Sequence, residues 1–365
     1  MQAFQREDAV NQLCRRNRLI GAVMIAAALA GSVTAASAQT KVRVGWCTSV
    51  LTLGVVPFAV AIKMGWYKEL GIDLELVNLP GSSDCVRNVA TGEVLVAVPT
   101  VEPVAILRLT GVKTEVFYTA FRRNIFGLAV PASGPITGYK DLKDKKIGVT
   151  SMASAGVVVA RSVASSVGLD PDRDVKIVVS GQPAQSAVLL RRRDIDAVSQ
   201  WDVQYTLMEL AGVPMRALAD RELESFPSNS FVARPDTIKT KGDLLARLVR
   251  GYAMGTLYAV RNPRAAAEMY HAVYPQVVPT GLDAVQALDQ TTALLKTVTP
   301  KMMLETGADK WGASSFEAYQ AYLDWLVKAG VLKEHVDAHE VVTNTLIDQV
   351  NDGLDLKAVE AALSR

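Results

Sequence analysis

Two tryptophans occupy positions suited to binding a small molecule. Trp46 ends the apolar run "KVRVGW", and Trp201 comes directly after the run "IDAVS" and one glutamine. A tryptophan of the core normally lies inside such a run, whereas both of these lie where a strand should end. A side chain there offers a flat apolar wall and one N–H donor. We therefore predict that both contact a ligand; the alternative is that they pack between two lobes.

Small polar residues recur where predicted helices begin after strands. Three such groups are Ser82, Ser83 and Asp84 in "PGSSDC", Thr100 and Glu102 in "PTVE", and Ser151 and Ser154 in "TSMASAG". A helix N-terminus presents free N–H groups and partial positive charge to an anion or a carbonyl. The alternative is ordinary helix capping. Glu102 either favours the helix dipole or pairs with a ligand amine.

Further candidates flank these positions. They are Cys47, Thr48 and Ser49 after Trp46, Gln200 and Asp202 on either side of Trp201, and Arg123 in "FRRN". Gln200 and Asp202 can make directed polar contacts or cap the next helix. Arginine suits a carboxylate or a sulfonate because its donors form a planar fork. A solvated surface position is the alternative for Arg123.

Catalytic motifs are missing from this sequence. The three histidines, His271, His335 and His339, lie in the C-terminal part without an HExxH pattern or a third ligand at suitable spacing. Neither a GxSxG motif nor a phosphate-binding P-loop occurs. We therefore expect a binding protein rather than an enzyme, with no metal and no cofactor.

The N-terminal segment has the order of a secretory signal. Arg15, Arg16 and Arg18 precede the apolar stretch "LIGAVMIAAALAG", and Ala36-Ser37-Ala38 forms a small-residue cleavage site. We predict a signal peptide at residues 1–38, cut after Ala38, by either the Sec or the twin-arginine route. The remaining 35 basic and 35 acidic side chains, out of 39 and 37 in the whole chain, give no net charge. Nucleic acid is therefore not expected as a partner.

The rest of the chain alternates short strand-like runs with helical patterns, first to about residue 128 and again from "KIGVT" onwards. This order predicts βαβ units with mostly parallel sheets, hence an α/β fold of two lobes. From about residue 235 the pattern is only helical, so these helices must pack on a lobe already built. We expect lobe 1 to comprise residues 39–128 and 232–365, and lobe 2 residues 129–231.

Several of these stretches resemble periplasmic substrate-binding proteins of ABC importers, in the NMT1/THI5-like group for sulfonates, taurine, nitrate and thiamine-pyrimidine precursors. They are "FAVAIKMGWYKELGIDLELV", "PGSSDCVRNVATGEVLVAV", "DLKDKKIGV", "IDAVSQWD", "ARPDTIK" and "NPRAAAEM". The resemblance implies the type II binding-protein fold, a ligand held between two closing lobes, and delivery to an inner-membrane permease with its ATPase. It also implies a monomer in the periplasm, where Cys47 and Cys85 could form a disulfide.

Within that family two alternatives for the ligand stay open. If Trp46 and Trp201 face each other across the cleft, they would sandwich an aromatic or heteroaromatic ligand or organic anion. An alkanesulfonate, taurine or nitrate is the other possibility. Enzymes of thiamine-pyrimidine and menaquinone synthesis share the fold, but their substrates are cytoplasmic, which the export signal disfavours. A sensing role instead of transport also stays open.

Overall fold

The computed structural model describes residues 39–304 and 310–364. The predicted signal peptide lies outside the described residues. Within these ranges, ten strands form two five-stranded sheets. The strands are β1 Thr40–Trp46, β2 Ile72–Asn78, β3 Val96–Ala97, β4 Glu115–Thr119, β5 Phe126–Pro131, β6 Lys145–Val149, β7 Val175–Val179, β8 Ala197–Trp201, β9 Met215–Leu218 and β10 Ser230–Ala233.

The first sheet has the order β2-β1-β3-β10-β4, and the second has the order β7-β6-β8-β5-β9. In the first, β1 pairs in parallel with β2 and β3, while β10 is antiparallel to both of its neighbours. In the second, β6 pairs in parallel with β7 and β8, while β5 is antiparallel to β8 and β9. Each sheet therefore has one antiparallel strand, and both strands lie where the chain was predicted to cross between lobes.

The helices of the two lobes follow the strands in the predicted alternation. They are α1 Val56–Lys63, α2 Trp66–Glu69, α3 Ser82–Thr91, α4 Glu102–Arg108, α5 Ala155–Ser166, α6 Pro183–Arg192, α7 Asp202–Leu210 and α8 Arg221–Ser225. The α/β fold class and its two lobes are thereby confirmed. The lobe boundaries at 128/129 and 231/232 stay a prediction.

The C-terminal part is helical, as predicted. Its helices are α9 Pro235–Thr240, α10 Gly242–Arg261, α11 Pro263–Val273, α12 Ala284–Val298, α13 Phe316–Lys328, α14 Ala338–Val341, α15 Ile347–Asp352 and α16 Leu356–Leu363. The described residues include no helix with both the length and the apolar character needed to cross a bilayer.

Helix α10 shows how this tail is held on the first lobe. The Tyr252 hydroxyl donates to the Gly54 carbonyl oxygen at 3.1 Å, and the Tyr67 hydroxyl donates to the Leu248 carbonyl oxygen at 3.1 Å. A Cβ on Gly255 would lie 2.0 Å from the Pro57 carbonyl oxygen, so α10 and α1 touch through their backbones. The tail thus completes the core of the first lobe.

Candidate ligand-binding site

Trp46 and Trp201 line one cavity between the two sheets. Each is the last residue of its strand, β1 or β8, and each side chain is buried, with 4% and 6% of its surface exposed. In the described part of the chain neither indole Nε1 has a hydrogen-bond partner. Because a buried N–H without a partner is costly, these two donors are suited to an acceptor that enters the cavity.

Close packing fixes both tryptophans. A Cβ on Gly54 would lie 2.6 Å from Cη2 of Trp46, so the indole rests directly on the backbone of the short turn Leu53–Val55. Trp201 is held by its own backbone, whose N–H donates to Oε1 of Gln204 at 3.1 Å. It also faces Phe126 in the register of β8 and β5. The indole of Trp46 is therefore held by close packing, and the backbone of Trp201 is held at the end of its strand.

Two helices begin at this cavity, one from each lobe. Ser82 is the first residue of α3, and Ser154 is the N-cap of α5; both line the cavity. The Ser154 hydroxyl accepts from the Gly156 N–H at 3.1 Å, and the Ser82 hydroxyl accepts from the Thr100 N–H at 3.2 Å. Ser154 is thus an ordinary cap and a cavity residue at once. The two N-termini add partial positive charge from opposite sides.

The cavity is small and uncharged. Its volume is about 40 Å³, enough for a few water-sized molecules and well below that of an engineered apolar cavity of about 150 Å³ that binds benzene. Among the described residues the lining carries no Lys, Arg, Asp, Glu or His: Trp46, Cys47, Thr48, Thr52, Gly54, Ser82, Phe121, Ile125, Phe126, Thr150, Ser154, Ala155, Gln182, Trp201, Gln204 and Asn229. Any charge bound here is met by neutral donors and helix ends.

A disulfide joins Cys47 to Cys85 beside the cavity. It ties the residue after Trp46 to the first turns of α3, the helix that begins at Ser82. Cys47 itself lines the cavity, and because its sulfur is in the disulfide, it offers no thiol there. The open question of the Cys47–Cys85 pairing is answered in favour of the bond.

The two lobes touch beside the cavity, at a contact that we call the latch: residues 80–83 against residues 151–154. The Ser151 hydroxyl donates to the Pro80 carbonyl oxygen at 2.8 Å, and the Ser83 N–H donates to the Ala153 carbonyl oxygen at 3.3 Å. A Cβ on Gly81 would lie 2.3 Å from that same Ala153 oxygen. The lobes are therefore closed, and Ser83 and Ser151 hold the closure instead of lining the cavity.

Four other predicted site residues lie away from the cavity lining. Asp84 forms an ion pair with Arg87 (3.6 Å) on α3, and Thr100 is buried behind Ser82. Gln200 is fully buried, and its amide donates to the hydroxyls of Ser180 and Ser186. Ser49 lines a neighbouring groove. The Thr48 hydroxyl donates to the Val50 carbonyl oxygen, although Thr48 itself does line the cavity.

Glu102 is enclosed in the first lobe. Its side chain is 1% exposed and accepts a hydrogen bond from the Tyr322 hydroxyl of α13. Burial raises the pKa of the Glu102 carboxyl above its ordinary value, and the hydrogen bond from Tyr322 opposes this shift. The structure therefore gives the Glu102 carboxyl a partner inside the first lobe, and Glu102 is not among the residues that line the cavity between the tryptophans.

Arg123 and Asp202 line a separate cavity of about 440 Å³ near the crossover strand β5. Asp202 forms an ion pair there with Lys301, which comes from the helical tail. Because Asp202 follows Trp201 directly, the tail reaches the second lobe next to the site. Arg123 is thus not brought to the cavity that holds the two indoles.

Some cavity residues were not predicted from the sequence. Gln182 follows β7 and precedes α6, so the rule that ligands meet strand ends could have found it. Phe121 lies shortly after β4, so the same rule could have found it, whereas Thr52 and Asn229 lie in loops whose placement depends on the whole fold. Gln204 was hidden inside the helical pattern of α7.

The histidines lie elsewhere. His271 is within 2.9 Å of the Thr291 hydroxyl, His335 is 3.5 Å from an Asp324 oxygen, and His339 stacks on Phe316. None of the three is among the residues that line the cavity. No group of three or more His, Cys, Asp or Glu side chains that could hold a metal ion occurs in residues 39–304 and 310–364.

Two α/β lobes that meet at a closed cleft define the periplasmic binding protein fold, and solved structures agree. A protein from Bordetella bronchiseptica RB50 matches with a TM-score of 0.66 and 21% identity, over 86% of this chain and 98% of that one. The alkanesulfonate-binding protein SsuA from Xanthomonas axonopodis pv. citri, bound to MOPS, gives 0.62 and 15% over 84% and 99%. The periplasmic nitrate-binding protein NrtA from Synechocystis PCC 6803 gives 0.62 and 13% over 88% and 91%.

The family is narrower than the fold. A family model described as NMT1/THI5 like matches residues 53–266, more than half of the chain. The chain therefore belongs to the NMT1/THI5-like family, which confirms the resemblance read from its sequence. A search of curated protein sequences returned no match.

Proposed function

We propose that this protein is a periplasmic receptor that captures a small organic anion between its lobes and delivers it to an inner-membrane ABC permease. One observation carries the proposal: two buried indole N–H donors without partners line a single uncharged cavity. Two helices, α3 and α5, begin at the same cavity from opposite lobes. Donors and helix N-termini in that arrangement favour an anionic group.

Neutral donors suit a receptor that must also release its ligand. Since the described lining includes neither lysine nor arginine, the anion is held by hydrogen bonds and by helix dipoles, both of which weaken when the lobes separate. The size of the cavity supports a compact anionic group among the ligand alternatives. At about 40 Å³ it admits a compact anionic group, and an aromatic ring enters between the indoles only if they move apart.

The family and the fold support the remaining parts of the proposal. SsuA and NrtA are described as binding proteins for an alkanesulfonate and for nitrate, two anions. We further propose export by cleavage after Ala38, a monomeric state, lobes divided at 128/129 and 231/232, and a permease partner. The sequence pattern of the N-terminus supports the export, and membership of the family supports the permease partner. Binding is favoured over catalysis because the cavity contains no histidine and no free thiol among its described lining.

The test is a titration calorimetry panel on the mature protein. The panel contains nitrate, methanesulfonate, taurine, acetate, benzenesulfonate, benzoate and a neutral aminopyrimidine. We expect one or more of the anions to bind and the aminopyrimidine not to bind. A protein that binds the aminopyrimidine alone would overturn the assignment of an anion, while no binding to any panel member, confirmed by native mass spectrometry of the unrefolded protein, would contradict the proposal.

The panel is best run beside two tryptophan variants. Trp46→Phe removes one of the two indole donors that line the cavity, while Trp325→Phe changes an indole that packs on Phe226 away from it. We expect anion binding to weaken in the first variant and to be retained in the second. Equal losses in both would point to a general loss of folding, which a melting curve of each variant reveals.

A further inference from the structure

A wide apolar groove adjoins the small cavity. Its volume is about 600 Å³, and it shares Thr52, Gln182, Trp201 and Gln204 with the cavity. Trp201 is thus a common wall: the residue that lines the small cavity also lines the groove. The groove therefore adjoins the cavity at these four residues, and it is the space into which the rest of a ligand bound in the cavity would extend.

The described lining of the groove is mainly apolar and has no charged side chain. Its apolar walls include Leu51, Val203, Leu207, Tyr270, Val277 and Leu294, and its described lining contains no Lys, Arg, Asp, Glu or His. Two of its polar side chains are engaged internally. The Thr291 hydroxyl donates to the Ala287 carbonyl oxygen at 3.0 Å, and the Asn78 amide donates to the Ser49 carbonyl oxygen at 3.4 Å. Such a surface favours hydrocarbon.

Three parts of the chain build the groove. The loop of residues 49–53 belongs to the first lobe and α7 to the second, while residues 270–294 belong to the helical tail. The family model ends at residue 266, so the tail wall lies beyond the segment that the family shares. A groove wall outside the common segment is a place where specificity can differ within the family.

We propose that this groove holds the hydrocarbon body of an amphipathic organic anion, whose anionic head lies in the cavity between Trp46 and Trp201. This rests on the proposed function. The head cavity, at about 40 Å³, is too small for the rest of an organic ligand, and the groove is the adjoining space that shares Trp201. Nitrate and taurine would leave the groove empty, so the protein should discriminate against them.

Chain length is the variable that tests this inference. Calorimetry on the mature protein would use two series, straight-chain sulfonates and straight-chain carboxylates, each from one to eight carbons. If the body enters the groove, the affinity rises by about fourfold per methylene until the groove is full. A constant affinity along both series, with the shortest members bound, would overturn the groove while leaving the proposed function intact. Absence of binding in both series would overturn both.

Groove variants separate this effect from general binding. Leu207→Ser and Val277→Ser together replace two partly buried wall residues. We expect them to lower the gain per methylene to less than twofold and to leave methanesulfonate or acetate binding unchanged. The matched control is Leu210→Ser with Val285→Ser, since those side chains are 60% and 62% exposed and lie outside the groove lining. An unchanged gain per methylene in the groove variant would contradict the inference.

Discussion

The backbone of Gly81 lies directly against the carbonyl oxygen of Ala153, across the boundary between the two lobes. A Cβ on Gly81 would lie 2.3 Å from that oxygen and 2.8 Å from the Ser154 nitrogen. The glycine is extended, with φ 179° and ψ 179°, so its conformation is open to any residue. What requires glycine here is the approach of the second lobe. Closure and the identity of residue 81 are therefore linked.

Gly81→Ala should hold the lobes apart. The added methyl group displaces the 151–154 segment and breaks the latch, so ligand affinity should fall at least tenfold while the free energy of unfolding changes little. Calorimetry with a bound anion and small-angle scattering measure the affinity and the closure. Gly138→Ala is the control, because Gly138 is also extended and a Cβ there meets nothing within 4 Å. Equal affinities for the two variants would contradict a closing role for the latch.

Trp201 is the residue whose loss should affect binding most. It lines both the small cavity and the groove, and it carries one of the two unpartnered indole N–H groups. We expect Trp201→Ala to weaken binding of the anion at least tenfold, by loss of a donor and of apolar contact. Trp201→Phe keeps part of the apolar wall and should retain intermediate affinity. Unchanged affinity in the alanine variant would remove Trp201 from the site.

The strand-end tryptophans show what can be predicted from sequence. Trp46 and Trp201 end strands in two different sheets, and the rule that ligands meet the carboxyl ends of parallel strands places both at one cleft. Their shared cavity follows from local pattern plus the fold class. The antiparallel direction of β5 and β10 does not, because each pairs with strands far along the chain, and no local pattern encodes that pairing.

Glu102 is a residue whose role could not be predicted from the sequence. Its place at a helix start fits a ligand contact equally well, and the residue that engages it, Tyr322, is 220 positions away. Gln182 illustrates the intermediate case, since it follows a strand and was open to the same rule as the tryptophans. Lys301, which forms an ion pair with Asp202, comes from the tail, and no motif in the sequence marked it as a residue near the site. Distant pairings decide the role of a polar residue, and only the folded chain shows them.

The buried carboxyl of Glu102 should make stability depend on pH. Because burial raises its pKa in the folded state, the protonated form is favoured on folding. Its contribution to stability is then complete at pH values below the unfolded pKa, and it is lost as the pH rises through the folded pKa. At pH 8 the wild type should thus melt at a lower temperature than an otherwise identical protein in which residue 102 cannot ionise.

Glu102→Gln isolates that effect. The amide cannot ionise and its oxygen still accepts from Tyr322, so the variant should melt at a higher temperature than the wild type at pH 8, with a smaller difference at pH 4. For a chain of this size, each kcal/mol corresponds to about 2 °C. Glu340→Gln, at an exposed ion pair with Arg108, serves as the comparison. A difference that does not vary with pH would contradict the assignment.

The Cys47–Cys85 disulfide should stabilise both the fold and the site. It closes a loop with a sequence separation of 38 residues, for which loop entropy predicts about 4 kcal/mol of stabilisation. It also fixes the segment after Trp46 against α3, which begins at the cavity with Ser82. Replacing both cysteines by serine should lower the free energy of unfolding by up to that amount and weaken anion binding severalfold.

The measurements are chemical denaturation and calorimetry, each with and without dithiothreitol. The reductant should affect the wild type and leave the double variant unchanged. Two titratable thiols in the oxidised, denatured mature protein would show that the bond does not form.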